Sequence, residues 1–314
     1  MAGVDPPRSR RATRRIAACA AALIVMPVSA HAVGVPHLAH VVVVVMENKS
    51  YDEVRTQPFV TSLASLGATM TRSYAVTHPS EPNYLALWAG SPLGVTDDAC
   101  PPAGAPIAAP NLGQACEAAG RTWRAYAENL PAPAFTGCSY DGDASTGLYT
   151  RKHAPWTAFS NLDHSNERPY SDLALDLAAG TLPNLCFIVP NNCHNTHDSG
   201  TPGCAIADGD AWLSTNLPAI LTGITPDGIL ILTWDEDDSA GDNHVLTLVV
   251  GSPVTPNYLS PTAITHATVV RLVCDVLGIP PLPAVAVEAP LLDIWQLPLA
   301  APAGSWGRVK ALYR

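Results

Sequence analysis

The run Val41-Val42-Val43-Val44-Val45-Met46 ends in Glu47-Asn48, and it constrains the fold more than any other stretch of the chain. β-Branched side chains favour the pleated strand, and five in succession leave no polar face. Such a strand needs cover on both sides, as in the middle of a parallel sheet. In open α/β sheets, ligands sit beyond the carboxyl ends of these strands. A carboxylate and an amide there offer two hard oxygens to a metal ion. A second apolar strand ends the same way: Gly228-Ile229-Leu230-Ile231-Leu232-Thr233-Trp234 runs into Asp235-Glu236-Asp237-Asp238. Two strands tipped with acidic oxygens predict one metal site assembled from distant parts of the chain.

Helix and strand alternate around these anchors. Pro58, Phe59, Leu63 and Leu66 keep helical spacing, with Gly67 placed to end that helix, and Thr69 to Val76 reads as a strand followed by a helix at Pro82 to Ala89. Over about 91–183 the pattern weakens into Pro, Gly and Ala clusters with short apolar pieces such as Trp123-Arg124-Ala125-Tyr126, so an irregular insertion or cap is expected there. Regular structure returns with a strand at Asn184 to Val189, a helix near Gly209 to Leu221, a strand at Val245 to Val250 and a helix at Ala263 to Leu277. The last 35 residues, rich in Pro and Ala, are expected on the surface. Alternation of this kind predicts an α/β fold, a parallel or mixed sheet with helices on both faces.

The first 32 residues read as something else. Arg8, Arg10, Arg11, Arg14 and Arg15 form a basic segment, Ile16 to Val28 an apolar one too short for a good membrane span, and Ala30-His31-Ala32 a small-residue cleavage site. A signal peptide over 1–32 and a single domain over 33–314 are therefore expected, with a secreted or periplasmic product. Removing it takes five arginines and Asp5, and the net charge moves from −10 to −14. So acidic a chain is a poor partner for nucleic acid, and nothing else in it is long enough to span a bilayer. Seven cysteines remain of eight. Export permits disulfides, and the pairs that bracket loops are Cys193–Cys204 and Cys100–Cys116, with Cys186 and Cys274 read as buried thiols.

Three polar segments carry chemistry. Thr77-His78-Pro79-Ser80-Glu81-Pro82-Asn83-Tyr84 puts Ser80 at a helix start, where free amides and the dipole favour anions and a hydroxyl can attack phosphorus. The same serine serves equally as an N-cap, with Pro82 in the first turn. Asn192-Cys193-His194-Asn195-Thr196-His197-Asp198 follows a strand, so two histidines and an aspartate reach the same sheet edge, able to bind a metal, move protons or hold phosphate oxygens. His244 and His266 each also read as capping or packing residues.

These segments together resemble the bacterial phosphoesterase family of secreted acid phosphatases and phospholipases C: Val43-Val44-Val45-Met46-Glu47-Asn48-Lys49-Ser50-Tyr51, Thr77 to Leu87, and Thr233-Trp234-Asp235-Glu236-Asp237-Asp238. The resemblance implies an alkaline phosphatase-like three-layer α/β/α sandwich with a mostly parallel central sheet. It implies Glu47, Asn48, Ser80, Asp235 and Glu236 as metal ligands, with Ser80 the nucleophile. Ser80-Glu81-Pro82-Asn83 is also similar to the Thr-x-Pro-Asn segment of nucleotide pyrophosphatase/phosphodiesterases, which implies that Asn83 holds a phosphoryl oxygen. His194, His197, Asp198 and His244 would line the phosphate pocket, His194 or His197 protonating the leaving group. No full second ligand set is found, so one divalent ion (calcium, magnesium, manganese or zinc) is expected.

The activity expected is a secreted phosphatase acting on phosphate monoesters, small or phospholipid-derived, through a phosphoserine. A phosphodiesterase of phospholipase C type and a phosphoinositide phosphatase are the neighbouring readings. A non-catalytic module that binds metal or phosphate is the reading from another class. A serine hydrolase is disfavoured, because no Gly-x-Ser-x-Gly elbow occurs.

Overall fold

A computed structural model of the protein describes residues 1–3, 34–142, 147–198 and 204–296. The chain divides into Met1–Ala32 and Val33–Arg314, and every helix and strand described lies in the second unit. The expected signal peptide falls almost wholly outside the described residues.

In chain order the elements are β1 (His40–Met46), α1 (Tyr51–Val54), α2 (Pro58–Ala64), β2 (Gly67–Tyr74), α3 (Ser80–Ala89), α4 (Leu112–Ala118), β3 (Trp123–Ala127), β4 (Ser139–Tyr140) and β5 (Tyr149–Thr150). They continue with β6 (Glu167–Pro169), α5 (Ser171–Ala179), β7 (Leu185–Val189), α6 (Ile206–Ile224), β8 (Gly228–Trp234), β9 (Thr247–Gly251), β10 (Tyr258–Thr265) and α7 (His266–Leu277). Eight strands form one sheet in the order β10-β2-β9-β8-β1-β7-β3-β6. β1 lies between β7 and β8, parallel to both. Only β9 runs against its neighbours, β2 and β8.

The valine run explains the layers. Val41, Val43 and Val45 face one core with Leu85 and Trp88 of α3 and Val270 and Val273 of α7. Val42, Val44 and Met46 face the other with Val60 and Leu63 of α2 and Leu213 and Leu217 of α6. All six strand residues are at most 1% exposed, and each fully buried valine contributes about 1.5–3 kcal/mol. The expected α/β/α sandwich is what the chain forms.

Four local expectations need correction. Gly67 does not end α2, which stops at Ala64; it opens β2, where a Cβ would lie 2.2 Å from the Val249 carbonyl oxygen. Close approach of β9, not helix termination, is why glycine stands there. The stretch 91–183 is no mere insertion, since its short strands β3 and β6 complete one edge of the main sheet. β10 occupies the opposite edge, where the sequence pattern predicts a helix beginning at Ala263; Pro261 disguises the strand, and the ladder with β2 shifts register between Ser260 and Ala263, an edge position and irregularity that tolerate proline. Finally, the Pro-rich end buries Val285, Leu291, Ile294 and Trp295 in the core. Its residues 297–314 lie outside the described ones.

Cysteine pairing is half as expected. Cys193–Cys204 is bonded, but Cys100 joins Cys138. Cys116 sits on the buried face of α4 and stays a thiol, like Cys186 and Cys274. Burial pushes the Cys116 thiol up to about 12. Among the described residues no helix is long and apolar enough to cross a membrane.

Candidate active site

The carboxyl ends of β1 and β8 and the loop after β7 are knitted together by main-chain bonds. Glu47 N–H donates to the Asn195 carbonyl at 2.8 Å, and Asp235 N–H to that of Met46 at 3.0 Å. The Thr196 hydroxyl donates to the Glu47 carbonyl at 2.6 Å, and Asn48 N–H to the Asp235 carboxylate at 3.2 Å. Asn48 takes φ +50, a left-handed turn that asparagine tolerates, to bring this about. His266, read from sequence as a packing residue, donates from Nε2 to the Asp235 carbonyl at 2.6 Å. Burial lowers this ring to about 4, so it stays neutral and holds the strand end.

Ser80 opens α3 and is 1% exposed. Its hydroxyl lies 3.2 Å from Glu47 Oε2 and 3.0 Å from Glu236 Oε1. Glu47 and Asp235 are fully buried and Glu236 nearly so. Three carboxylates gathered at one buried site repel one another. Burial acts to raise Glu47, but His153, His197 and Lys152 outweigh it and hold the carboxyl at about 2. Asp235 goes the other way, well above the usual range, through burial and the charges of Glu47 and Glu236. Glu236 rises to about 7, through burial and the charge of Glu47.

The donor set fits a hard cation. Among the described residues Asn48 Oδ1 and Asp235 Oδ2 are buried without hydrogen-bond partners, and Glu47 Oε1 has only the His153 ring nitrogen close by, at 2.9 Å. Leaving such atoms unpaired costs about 1–3 kcal/mol each. All three belong to the ligand set expected from sequence, and oxygen ligands of this kind suit calcium, magnesium or manganese. Glu47, His153 and His197 also present one ligand atom each within 4.8 Å of one another. Imidazole nitrogens beside a carboxylate suit zinc.

His153 is a site residue that the sequence does not announce. It ends a short turn, Arg151–His153, in the weakly patterned region, and no spacing in the sequence ties it to Glu47; only tertiary packing puts its Nε2 2.9 Å from Glu47 Oε1. His78 is a second, though its place in the serine segment is a signal that could have found it. Its ring bridges Glu236 Oε2 at 2.6 Å and Asp237 Oδ1 at 3.2 Å.

The remaining candidates separate. His197 lies beside His153, their ring centroids 5.6 Å apart, and its Nδ1 is 2.7 Å from Asp198. Asp198 thus touches the histidine that lines the site. His194 turns elsewhere, with Nδ1 2.9 Å from Glu128 and its ring against Trp212. The bond to Glu128 raises it above the ordinary histidine range. His244 is not brought to Ser80: its ring stacks between Tyr51 and Tyr74, and Nε2 meets the Thr71 carbonyl at 3.1 Å. Asn83 Oδ1 accepts the N–H groups of Val76 and Thr77, and Nδ2 donates to the carbonyls of Thr77 and Pro79. It ties down the loop before Ser80, and leans to Glu236 at 3.4 Å. The α3 terminus is less open to an anion than the sequence implies, because Glu81 N–H donates to Asp98 and Pro82 has none. Asp98 also holds Lys152 Nζ at 2.8 Å.

A serine hydroxyl set among buried carboxylates, with histidines at its side and a doubly covered parallel sheet beneath, is the equipment of an enzyme that hydrolyses phosphoric esters. The chain belongs to the Phosphoesterase family, whose model matches residues 53–279. It is 39% identical over 264 residues, 83% of this chain and 84% of the relative, to a phosphatidylinositol-3-phosphatase of Mycobacterium tuberculosis. It is 29% identical to an acid phosphatase of Aspergillus fumigatus, over 79% of this chain but only 57% of that protein. Among solved structures, a protein of the alkaline phosphatase superfamily from Vibrio parahaemolyticus superposes with a TM-score of 0.61 at 11% identity, over 83% of this chain and 72% of that one. Murine ectonucleotide pyrophosphatase/phosphodiesterase 5 gives 0.51 at 11% identity, over 78% and 96%. The fold is the alkaline phosphatase-like one, and the protein is a phosphoric ester hydrolase.

Proposed function

We propose that the chain is an exported, metal-dependent phosphatase that hydrolyses phosphate monoesters through a phosphoserine on Ser80. The observation that carries this reading is the placement of the Ser80 hydroxyl between Glu47 and Glu236 at 3.2 and 3.0 Å. Glu47, Asn48, Ser80, Asp235 and Glu236 would hold one divalent ion. Bound there, such an ion supplies Lewis-acid chemistry, making the serine oxygen a better nucleophile and offsetting the charge of the phosphoryl group. Glu236, the more basic of the two carboxylates beside Ser80, accepts its hydrogen bond and takes its one proton as the oxygen attacks phosphorus. His197, oriented by Asp198, passes a proton to the departing alkoxide, which leaves poorly without one. Water then hydrolyses the phosphoserine by the reverse arrangement.

His194 is set aside as the proton donor in favour of His197, because its ring is engaged with Glu128 and Trp212. Export is supported by the basic and apolar pattern of residues 1–32 and by two disulfides, which suit an oxidising compartment. Likeness to a phosphatidylinositol-3-phosphatase over most of both chains supports a phosphorylated lipid headgroup as one substrate. Likeness to acid phosphatases supports small monoesters.

The test is hydrolysis of p-nitrophenyl phosphate, bis-p-nitrophenyl phosphate and phosphatidylinositol 3-phosphate vesicles, before and after chelation, with Ser80→Ala alongside. Monoester turnover that disappears on chelation and in the variant is expected. A variant retaining wild-type turnover would overturn the covalent mechanism. Preference for the diester would move the activity to the phospholipase C type. Inactivity on all three by folded, metal-supplied protein would favour a binding module.

A further inference from the structure

His153 is 2% exposed, and its Nδ1 lies 3.0 Å from Thr150 Oγ1. That hydroxyl has one proton and a second neighbour, Asn192 Oδ1, at 3.2 Å. Asn192 is not free to turn over. Its Nδ2 donates to the Gly147 carbonyl at 2.7 Å, and the flipped amide would set oxygen against oxygen. Oδ1 can therefore only accept, and with the Thr150 proton given to it the hydrogen completing the contact with His153 sits on Nδ1. Nε2 is then left with its lone pair, or charged. It stands 2.9 Å from Glu47 Oε1, a close contact without good hydrogen-bond geometry. With Nε2 unprotonated, that nitrogen and Glu47 Oε1 can converge on one cation.

We propose that Thr150 and Asn192 are positioning residues that keep the His153 proton on Nδ1, so that Nε2 faces the cation shared with Glu47. The chain of contacts runs from the Gly147 carbonyl through the Asn192 amide and the Thr150 hydroxyl to the imidazole. It makes His153 a ligand rather than a proton donor, which leaves proton transfer to His197. The protonation pattern follows from hydrogen bonding alone, whereas the ligand role rests on the proposed metal dependence of the site. Metal-binding histidines commonly depend on such a partner, and losing it costs about 10–100-fold in affinity.

The experiment uses the full exported chain with 15N-labelled histidines, His153 being assigned by difference from a His153→Gln variant. Metal-free wild type is expected to carry the His153 proton on Nδ1. In Thr150→Val the ring is expected to move its proton to Nε2 and donate to Glu47, with Zn2+ affinity, read by competition with a chromophoric chelator, falling about 10–100-fold. Thr150→Ser should restore both. A neutral wild-type His153 with its proton on Nε2 overturns the proposal. So does a folded Thr150→Val protein that binds Zn2+ as tightly as wild type. Wild type that binds neither Zn2+ nor Mn2+ overturns the metal dependence and with it the ligand role, even where the spectrum shows Nδ1 protonated.

Discussion

His194 and His197 stand three residues apart in one loop and have different neighbours. His197 meets Asp198 and His153, while His194 meets Glu128 and Trp212. Replacing His197 by Asn is expected to lower kcat on a monoester by about 10²–10⁴, the usual contribution of a positioned acid or base, and His194→Asn to lower it far less. Steady-state kinetics on the two variants separates them. His194 has a consequence for stability instead. Its pKa is raised in the fold by the bond to Glu128, so its contribution is fully present below the unfolded value of about 6.5 and is lost as pH rises through the folded value. Thermal unfolding followed from about pH 5 to 8 should lose that part of its slope in His194→Asn. An unchanged slope would assign the pH dependence to another group. The spacing of the two histidines was legible in the sequence, but their division of labour was not, because Glu128 and Trp212 come from distant segments.

At the level of elements, the loop after β7 carries the histidines and is closed by Cys193–Cys204, a sequence separation of 11. A bridge of that span restricts the unfolded chain by about 2–3 kcal/mol. Here it also borders the contacts of Asn195 and Thr196 with Glu47. Cys193→Ser is expected to reduce specific activity more than it reduces the yield of exported protein. Equal losses in the two assays would mean that the bridge serves stability alone. Long apolar elements were the readable ones: β1, β7, β8 and α6 lie where hydrophobic pattern puts them. β3 and β6 escaped because strands of five and three residues carry too little pattern. β10 escaped because its proline argues against a strand unless an edge position is known.

For the whole molecule, three buried carboxylates at the edge of a central sheet make folding sensitive to the charge placed among them. A divalent ion that binds only the folded state stabilises it by about 2.7 kcal/mol at a concentration 100 times its Kd. The unfolding temperature of the metal-free protein should therefore rise on adding Mn2+, Ca2+ or Zn2+ and fall back with a chelator. An Asp235→Asn, Glu236→Gln double variant should show little response. A metal-insensitive wild type would leave the unpaired Asn48 and Asp235 oxygens without the partner proposed for them.

Sequence alone determined the α/β class, the doubly buried central strand, and the acidic residues and serine brought to one sheet edge. Each of these is written in a local pattern: side-chain branching, alternation of elements, and polar residues at strand ends. Only the tertiary structure decided that His153 and His78 join the site, that His194 and His244 turn from it, and that Cys138 rather than Cys116 meets Cys100. Those outcomes depend on which distant segments share a few ångströms of space, and packing of the whole chain around the sheet sets that, leaving no periodic trace in the residues themselves.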